Sequence, residues 1–377
     1  MVIVDSSRHV VGGVDTHRDS NVAAVIDMNG GLLGLESFPT TGEGHRSLTS
    51  WMSGFGTIER VGIEGTGAYG AGLARHFHGC GVMVIEVDRP ERQKRRKQGK
   101  SDRIDAVEAA RGTLSGRCEG QAKSGDGHAE ALRALLVAKR SARSTRIRTI
   151  VQLRHLMFTA PDELRARLGS LTASQLVNEA AKLRPRPGGD VALYGVKTAA
   201  VILARRVHAL DVELAVIDDQ ITPLVKAAAP ELLNVYGVGA DTAAVLLVTA
   251  GDNVERITTE AKWAMLCGIA PIPATSGLII DQFRLNYAGD RHANNAIWRV
   301  VITRLGQHDP RTIAYMQRRL AQGKSKRYII RCLKRPGSDG DSVVWFPFNP
   351  LGRVERSRRP RTLLAGCRRA SREAASC

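Results

Sequence analysis

The sequence predicts an α/β domain at the N-terminus, followed by a mainly helical region. Short apolar runs alternate with helical segments over residues 9–115, which is typical of an α/β domain. The turn signal Asn29-Gly30 joins two such runs, as in a β-hairpin. Two long segments with helical periodicity lie within residues 128–228, which places the helical region after this domain.

The N-terminal elements follow one another in a defined order. The strand Val10–Val14 precedes a predicted hairpin, Asn21–Met28 and Leu32–Phe38. Then come a helix, a strand, a helix and a short buried strand, over Gly42–Phe55, Arg60–Ile63, Ala68–Cys80 and Val82–Val87. A three-stranded meander followed by alternating helices and strands is the order of an α/β RNase H-like fold. In that fold the first strand, the fourth strand and a late helix bring acidic residues to one cleft.

Four acidic residues occupy those three places. Asp15 and Glu64 each close an apolar run, at the predicted ends of the first and fourth strands. Asp102 and Asp105 stand three residues apart where a helix is predicted to begin, so they share one helix face. Carboxylates that meet in a cleft repel each other unless a cation lies between them, and hard oxygen ligands suit Mg²⁺ or Mn²⁺. The pattern therefore predicts a divalent-metal site, and two such ions can clamp the oxygens of a phosphodiester.

The charge of the chain favours a polyanionic partner. The 377 residues carry a formal net charge of +18. An acidic metal site in so basic a chain indicates nucleic acid, with a basic ribosomal or membrane-associated protein as the alternative. Only 5% of the residues are aromatic, so stacking of bases on aromatic side chains is not expected to dominate binding.

Cysteine spacing and hydropathy indicate the compartment. The six cysteines are far apart and form no Cys-x-x-Cys pair, which argues against a zinc site and fits reduced thiols. Neither a secretion signal nor an apolar run of membrane-spanning length is evident. We therefore expect a cytoplasmic, nucleoid-associated protein without a membrane partner.

Basic residues cluster in segments suited to nucleic acid. The cluster in residues 89–103 leads directly into the predicted metal ligands, which favours a phosphate-binding segment over a solvated loop. Other basic residues lie on the long helix predicted for residues 128–160 and on helices near the C-terminus. The candidate contacts are Arg92, Lys94, Arg95, Arg96, Lys97, Lys100, Arg140, Arg143, Arg291, Lys324, Lys326 and Arg327.

Residues 128–228 predict a helical connector. After a break at residues 185–189, apolar residues recur at alternating spacings of four and three, which is typical of a coiled coil. This seam could pair with the earlier helix of the same chain or with another subunit. Its residues are Val196, Ala200, Leu203, Val207, Leu210, Leu214, Ile217, Ile221 and Leu224.

Residues 230–335 form the predicted C-terminal domain, which is mainly helical. Gly237 and Gly239 belong to a turn like that of a helix-hairpin-helix, whose backbone N–H groups could receive a phosphate. A plain glycine turn between two helices is the alternative. A loop of small residues at 267–277 follows and contains Thr275 and Ser276. Residues 336–377 lose all pattern and are predicted to be disordered, or to be translated out of the original reading frame.

Together, these motifs resemble the transposases of the IS110 family of bacterial insertion sequences, over about residues 9–335. The matching segments are Gly-Val-Asp-Thr-His, Glu-Gly-Thr-Gly, Lys-Ser-Asp-Arg-Ile-Asp-Ala, the Gly-Val-Gly turn, Ala-Pro-Ile-Pro-Ala-Thr-Ser-Gly and Asn-Tyr-Ala-Gly-Asp-Arg. The resemblance implies a RuvC-like DEDD domain at 9–115, a coiled-coil connector at 128–228 and a transposase domain at 230–335. It also implies that Asp15, Glu64, Asp102 and Asp105 form the acidic tetrad, and that Ser276 is the catalytic serine.

The resemblance further implies a mechanism and partners. In the family, the serine attacks a DNA phosphodiester and holds one strand end as a phosphoserine. An element-encoded bridge RNA joins donor and target double-stranded DNA, and the subunits form a tetramer in which the RuvC-like cleft and the serine come from different subunits. A serine hydroxyl needs activation by a base or a metal. No such base adjoins Ser276 in the sequence, so the acidic cluster would activate it; the adjacent Thr275 is a chemically possible alternative.

Three other functions fit part of the sequence. A RuvC-type structure-selective nuclease that uses water shares the tetrad but does not need Ser276. A sugar-kinase-like enzyme shares the RNase H-like core, but it would need a second similar domain, which does not appear after residue 230. An inactive DNA-binding remnant is favoured by two departures from the family, the apolar Leu278-Ile279-Ile280 after Gly277 and the unpatterned tail.

Overall fold

The computed structural model describes residues 8–87, 101–118, 120–274, 283–284 and 286–334. The N-terminal residues form a five-stranded sheet of β1 (His9–Thr16), β2 (Ser20–Asp27), β3 (Leu32–Pro39), β4 (Thr57–Glu64) and β5 (Met83–Val87). The strand order is β3-β2-β1-β4-β5. The first three strands are antiparallel, whereas β4 is parallel to β1 and β5 is parallel to β4. The predicted meander is confirmed, and the sheet is consistent with an RNase H-like domain.

The hairpin between β2 and β3 forms where Asn29-Gly30 predicts it. Gly30 has a positive φ of 85°, which glycine adopts without steric cost. The carboxylate of Asp27 accepts hydrogen bonds of 2.9 Å from the backbone N–H groups of Asn29 and Gly31. These two bonds fix the turn and hold β3 in register with β2.

Helices cover both faces of the sheet. They are α1 (Gly42–Ser53), α2 (Ala71–Gly79) and α3 (Asp102–Leu114). Val10 belongs to the core that α1 and α2 form with one face, together with Phe77. Its neighbour Val11 packs with Ala110 of α3 on the other face. Since side chains alternate along a strand, burial on both faces explains why β1 is a continuous apolar run.

Two long helices form an antiparallel pair within the chain, the helical arm. The elements of the arm are α4 (His128–Phe158), α5 (Asp162–Leu168), α6 (Ala173–Ala181) and α7 (Val191–Ala228). Leu132, near the start of α4, shares a core with Ile221, near the end of α7. Leu153, near the end of α4, shares another core with Ala204. The short helices α5 and α6, which the sequence analysis did not predict, lie at the tip of the arm.

The predicted heptad seam is only partly buried on α7. Ala200, Val207, Leu210, Ile217 and Ile221 are buried, whereas Val196, Leu203, Leu214 and Leu224 are partly covered. Val201, Ala204 and Val225 are buried as well. The buried stripe is wider near the start of α7 because α6 packs there as well as α4. The helices therefore pair, while the supercoiling of a coiled coil stays a prediction.

The C-terminal region is mainly helical. Its elements are α8 (Pro230–Leu233), α9 (Ala240–Ala250), a 3-10 helix (Val254–Arg256), α10 (Glu260–Leu266), β6 (Ile272–Pro273), β7 (Phe283–Arg284), α11 (Arg291–Gly306), α12 (Pro310–Ala321) and α13 (Lys326–Leu333). Trp263, Ala293 and Ile329 share one core with Leu132 and Val225 of the arm. The base of the helical arm is therefore built into the C-terminal core.

Some predictions fall outside the residues that the structure describes. The tail at 336–377 and most of the basic segment at 89–103 are among them. Across the ranges that are described, none of the helices has both the length and the apolar character needed to cross a membrane.

Candidate active site

Asp15 and Glu64 lie side by side at one edge of the sheet. β1 and β4 are parallel neighbours in which Val14 pairs with Ile63, so the next residue of each strand is acidic. Both acidic side chains are buried, with exposed fractions of 6% and 8%. The hydroxyl of Thr16 donates a 2.7 Å hydrogen bond to the backbone carbonyl of Glu64. This bond ties the two strand ends together and fixes the spacing of the acids.

Two glycines allow α3 to lie very close to these strands. A Cβ atom on Gly13 of β1 would lie 2.2 Å from the backbone nitrogen of Ala110. A Cβ atom on Gly62 of β4 would lie 2.1 Å from Oγ1 of Thr113. Both distances are far below van der Waals contact, so only glycine fits. The helix therefore rests directly on the two strands that carry the buried acids.

The first turn of α3 brings Asp102 and Asp105 to the same edge. His17, just after β1, connects the strand side to the helix side. Its Nε2 atom lies 3.2 Å from Oδ2 of Asp15 and 3.2 Å from Oδ2 of Asp102. The donor atoms of these three residues all lie within 4.8 Å of one another. Asp15, His17 and Asp102 therefore share one small space, and Glu64 and Asp105 lie near enough to Asp15 to act on its charge.

The pKa of Asp15 is raised to about 6. Burial is the largest cause, because it removes water that would stabilise the carboxylate. The charge of His17 opposes the rise, while the negative charges of Glu64, Asp105 and Asp102 add to it. The other three acids therefore act electrostatically on Asp15, and a cation bound beside Asp15 would relieve that repulsion.

The donor set fits a divalent cation. Two carboxylates and one imidazole, with donor atoms within 4.8 Å of one another, can share one ion. Sites dominated by carboxylate oxygens suit Mg²⁺ and Mn²⁺, and imidazole is a common additional ligand for transition metals. His17 was not among the ligands predicted from the sequence. Its position two residues after Asp15, just beyond the strand end, is the signal that could have found it.

The predicted nucleic-acid contacts occupy several surfaces. Arg140 is exposed on α4, and Arg143 is partly neutralised by Asp241, 3.0 Å away. The side chains exposed on α11 and α13 or just before α13 are Arg291, Lys324, Lys326 and Arg327. The contacts predicted in the segment before α3 lie outside the described residues; they are Arg92, Lys94, Arg95, Arg96, Lys97 and Lys100. The described contacts thus lie on or beside α4, α11 and α13.

The predicted glycine turn lines a cleft with a volume of about 730 Å³. Gly237 has a φ of 83°, and Gly239 is the N-cap residue of α9. Arg299 of α11 lines the same cleft. The first turn of α9 also carries Asp241, whose negative charge would repel a phosphate bound at the same helix N-terminus. Binding of a phosphate at this glycine turn therefore stays a prediction.

Ser276 and Thr275 lie outside the described residues. The chain on either side of them is described, because β6 pairs with β7 and places Pro273 opposite Phe283. The structure thus gives the two attachment points of the serine-bearing segment, Pro273 and Phe283.

The sheet and its acidic edge define a class of protein. Acids at the ends of two parallel neighbouring strands and in the first turn of a helix packed on them are consistent with an RNase H-like domain of the DEDD type. Residues 12–160 match the family model of DEDD transposases related to IS110, which is described as "Transposase". The class is therefore that of the DEDD transposases.

A second family model identifies the family. Residues 229–317 match the model described as "Transposase IS116/IS110/IS902 family". The two models together include the α/β domain, the first helix of the arm and most of the C-terminal region. The chain belongs to the IS110 family of transposases.

A similar curated protein comes from Streptomyces coelicolor. It is the "Insertion element IS110 uncharacterized 43.6 kDa protein", which is 32% identical to this chain over 135 residues. The alignment covers 35% of this chain and 33% of that protein. The match therefore spans about a third of the length of this relative.

Proposed function

We propose that this protein cleaves and rejoins DNA strands during the movement of an insertion sequence. The observation that carries the proposal is the convergence of four carboxylates and His17 at one sheet edge. Membership of the IS110 family supports DNA as the substrate. The formal net charge of +18 supports a polyanionic partner of this kind.

The acidic cluster would hold the metal and place the scissile phosphate. Asp15 and Glu64 would hold the ion from the sheet, and Asp102 would hold it from the helix. A divalent cation bound there would stabilise charge on the phosphoryl oxygens and help to activate an attacking hydroxyl. The close contact of α3 with β1 and β4 would keep these side chains in a rigid geometry.

Ser276 is the proposed nucleophile. Its Oγ would form a new bond to the phosphorus, while the bond from phosphorus to one deoxyribose oxygen breaks. The serine hydroxyl loses one proton, and the leaving oxygen gains one and departs as a hydroxyl. Because the phosphoserine retains the phosphate ester, attack by a strand-end hydroxyl can reverse the step and rejoin DNA without ATP.

RNA guidance and a tetramer are further parts of the proposal, and both rest on the resemblance to the family. A bridge RNA would select donor and target DNA by base pairing. The protein would then mainly contact nucleic-acid backbones, so its affinity should fall as salt rises. The acidic cluster of one subunit would act with Ser276 of another.

A covalent-trap experiment tests the proposed chemistry. Full-length protein, RNA transcribed from the flanks of its element, Mg²⁺ and end-labelled duplex DNA would be resolved on a denaturing gel. We expect a protein–DNA adduct with the natural sequence and none with Ser276→Ala or Asp102→Ala. Asp162→Ala is the matched control, because its carboxylate is 88% exposed on α5, at the tip of the arm. This control should form the adduct normally.

Each other outcome identifies a different function. Cleavage without an adduct, unchanged in Ser276→Ala, would contradict the serine mechanism and identify a nuclease that uses water. Duplex binding without cleavage over a titration of Mg²⁺ and of Mn²⁺ would identify a DNA-binding protein without catalysis.

A further inference from the structure

A second cleft, the α11–α13 cleft, includes in its lining residues that lie close in sequence to both ends of the serine-bearing segment. Its volume is about 330 Å³. The loop before α11, the first half of α11 and the end of α13 form its walls. The residues on which the argument depends are Tyr287, Arg291, Asn294, Trp298, Arg331 and Lys334.

The described residues that line this cleft include three cations and no carboxylate. In the part of the chain that the structure describes, Arg291, Arg331 and Lys334 form no ion pair with an acidic side chain. The ammonium of Lys334 instead donates a 2.7 Å hydrogen bond to the amide oxygen of Asn294. Burial lowers the pKa of Lys334, and the charge of Arg331 lowers it further. Unbalanced cations that repel one another in a concave site favour binding of an anion.

Two aromatic rings lie open at the same cleft. Tyr287 is 76% exposed and Trp298 is 41% exposed. Large aromatic side chains usually gain stability by burial, so two open rings beside cations in one cleft are typical of a binding site. Nucleic-acid bases stack on such rings, and the backbone phosphates of the same strand pair with the cations. Although the overall aromatic content is low, this cleft offers two rings on which a base could stack.

The cleft is built on a fixed frame. The side-chain amide of Asn294 donates a 2.7 Å hydrogen bond to the carbonyl of Gly268, and that of Asn286 donates a 2.9 Å bond to the carbonyl of Met265. A Cβ atom on Gly289 would lie 2.2 Å from the backbone nitrogen of Gly268, so the two loops touch. Gly268 and Asn286 both line the cleft. Gly268 precedes Pro273 by five residues and Asn286 follows Phe283 by three, so these two wall residues lie on either side of the serine-bearing segment in the sequence.

We infer that the α11–α13 cleft binds one unpaired nucleotide of a DNA strand. Arg291, Arg331 and Lys334 bind its phosphate, and its base stacks on the rings of Tyr287 and Trp298. The inference rests on the proposed function and deepens it, because it names a single-stranded strand end as the form of DNA held here. An intact duplex keeps its bases stacked inside and cannot offer a base face, whereas an isolated phosphate would use the cations but not the rings.

Binding of a short oligothymidine tests this inference. Full-length protein would be titrated with fluorescein-labelled single-stranded DNA, without RNA or Mg²⁺. We expect Trp298→Leu and Arg331→Gln each to weaken binding roughly tenfold. Loss of one phosphate contact in Arg331→Gln should also reduce the salt slope by about 0.7. Arg206→Gln is the matched control, because it removes the same charge from an exposed position on α7 that lines neither cleft, and it should retain more of the affinity.

A local readout separates this cleft from other basic surfaces. Iodouracil in the oligonucleotide should photocrosslink to the peptides that contain Tyr287 or Trp298. Trp298→Phe, which keeps a ring, should restore most of the binding that Trp298→Leu loses. That rescue, with an unchanged circular dichroism spectrum, would exclude a folding defect.

Four results would overturn the inference. The first is unchanged oligonucleotide binding in both variants, and the second is a crosslink that maps to other peptides. The third is that both variants lose as much affinity for a duplex of the same length as for the single strand. The fourth is that inorganic phosphate competes with the oligonucleotide while Trp298→Leu leaves its binding unchanged. The assay needs neither Ser276 nor a metal. Normal oligonucleotide binding without any covalent adduct would therefore contradict the proposed serine chemistry and leave this cleft assignment intact.

Discussion

Nε2 of His17 lies 3.2 Å from Oδ2 of Asp102, so the loop after β1 and the first turn of α3 meet at one point. The same nitrogen lies 3.2 Å from Oδ2 of Asp15. A strand, a loop and a helix thus each direct one donor group into the same space. This arrangement leads to the first prediction.

Replacing His17 by alanine should weaken Mn²⁺ binding about tenfold or more, as loss of a ligand or of a group that orients ligands does. Isothermal titration calorimetry on the full-length protein measures this affinity without any reaction. His9→Ala is the matched control, because His9 lies at the opposite end of β1 and pairs with Glu59. Equal affinities in the two variants would exclude His17 from the metal site.

Replacing Gly13 by alanine should destabilise the N-terminal domain by about 1–3 kcal/mol, since the added methyl group overpacks the contact with α3. Urea unfolding measures the change in the free energy of unfolding. At Gly195 of α7 an added Cβ meets nothing within 4 Å. Gly195→Ala should therefore leave stability unchanged or raise it by up to about 1 kcal/mol through helix propensity. A Gly13→Ala protein as stable as this control would contradict the close packing of α3.

Replacing Asp252 by alanine should loosen the start of α4. Its carboxylate accepts hydrogen bonds from the backbone N–H groups of Gly127, Ala129 and Glu130, at 3.2, 2.7 and 3.3 Å. Loss of such a cap costs roughly 0.5–2 kcal/mol. Hydrogen exchange should become faster in the first turn of α4. Asp190→Ala, which removes the cap of α7, should leave that turn protected, and the reverse pattern would disprove the capping role.

Replacing Asp241 by asparagine should change the acid stability of the protein. Burial alone would raise the pKa of Asp241, but the hydrogen bonds and charges of Lys139 and Arg143 outweigh it and lower the pKa below the ordinary 3.8. A carboxyl group with a lowered folded-state pKa stabilises the fold above its unfolded pKa, and this stability is lost as the pH falls through the folded value. The variant should therefore lose about 1–3 kcal/mol at neutral pH.

The pH profile of that variant supplies the decisive comparison. Below about pH 4, the natural protein should lose stability more steeply than Asp241→Asn. Asp218→Asn is the control, because Asp218 contacts the same lysine but has a side chain that is 52% exposed. The loss of stability that Asp218→Asn causes at neutral pH should be smaller than that of Asp241→Asn. If the free energy of unfolding fell equally steeply below about pH 4 in Asp241→Asn and in the natural protein, Asp241 would not be the source of this pH-dependent stability.

The sequence was sufficient to predict the pairing of Asp15 with Glu64, because each acid closes an apolar run and strand order brings the two runs together. The bridge from His17 to Asp102 could not be predicted, since it depends on how closely α3 approaches the sheet. Gly13 sets that distance, but its effect appears only when the helix that rests on it is known.

The tip of the arm shows a second limit of sequence reasoning. The two helices there are Asp162–Leu168 and Ala173–Ala181, both too short for a clear apolar period. Helices of this length depend on tertiary packing for stability, and Leu164 and Leu176 supply it in the core shared with α4 and α7. The α11–α13 cleft was likewise not predicted, because its walls come from chain segments that only folding brings together.

The helical arm starts and finishes in the same core, which contains both Leu132 and Val225. The 31 residues of α4 carry the chain about 46 Å outward, and α7 carries it back. Equal numbers of helical turns could be added to or deleted from α4 and α7 without moving the start of α4 or the end of α7. The distance that the arm spans is therefore independent of the geometry of the acidic cluster. The arm could become longer or shorter without any change in the residues of that cluster.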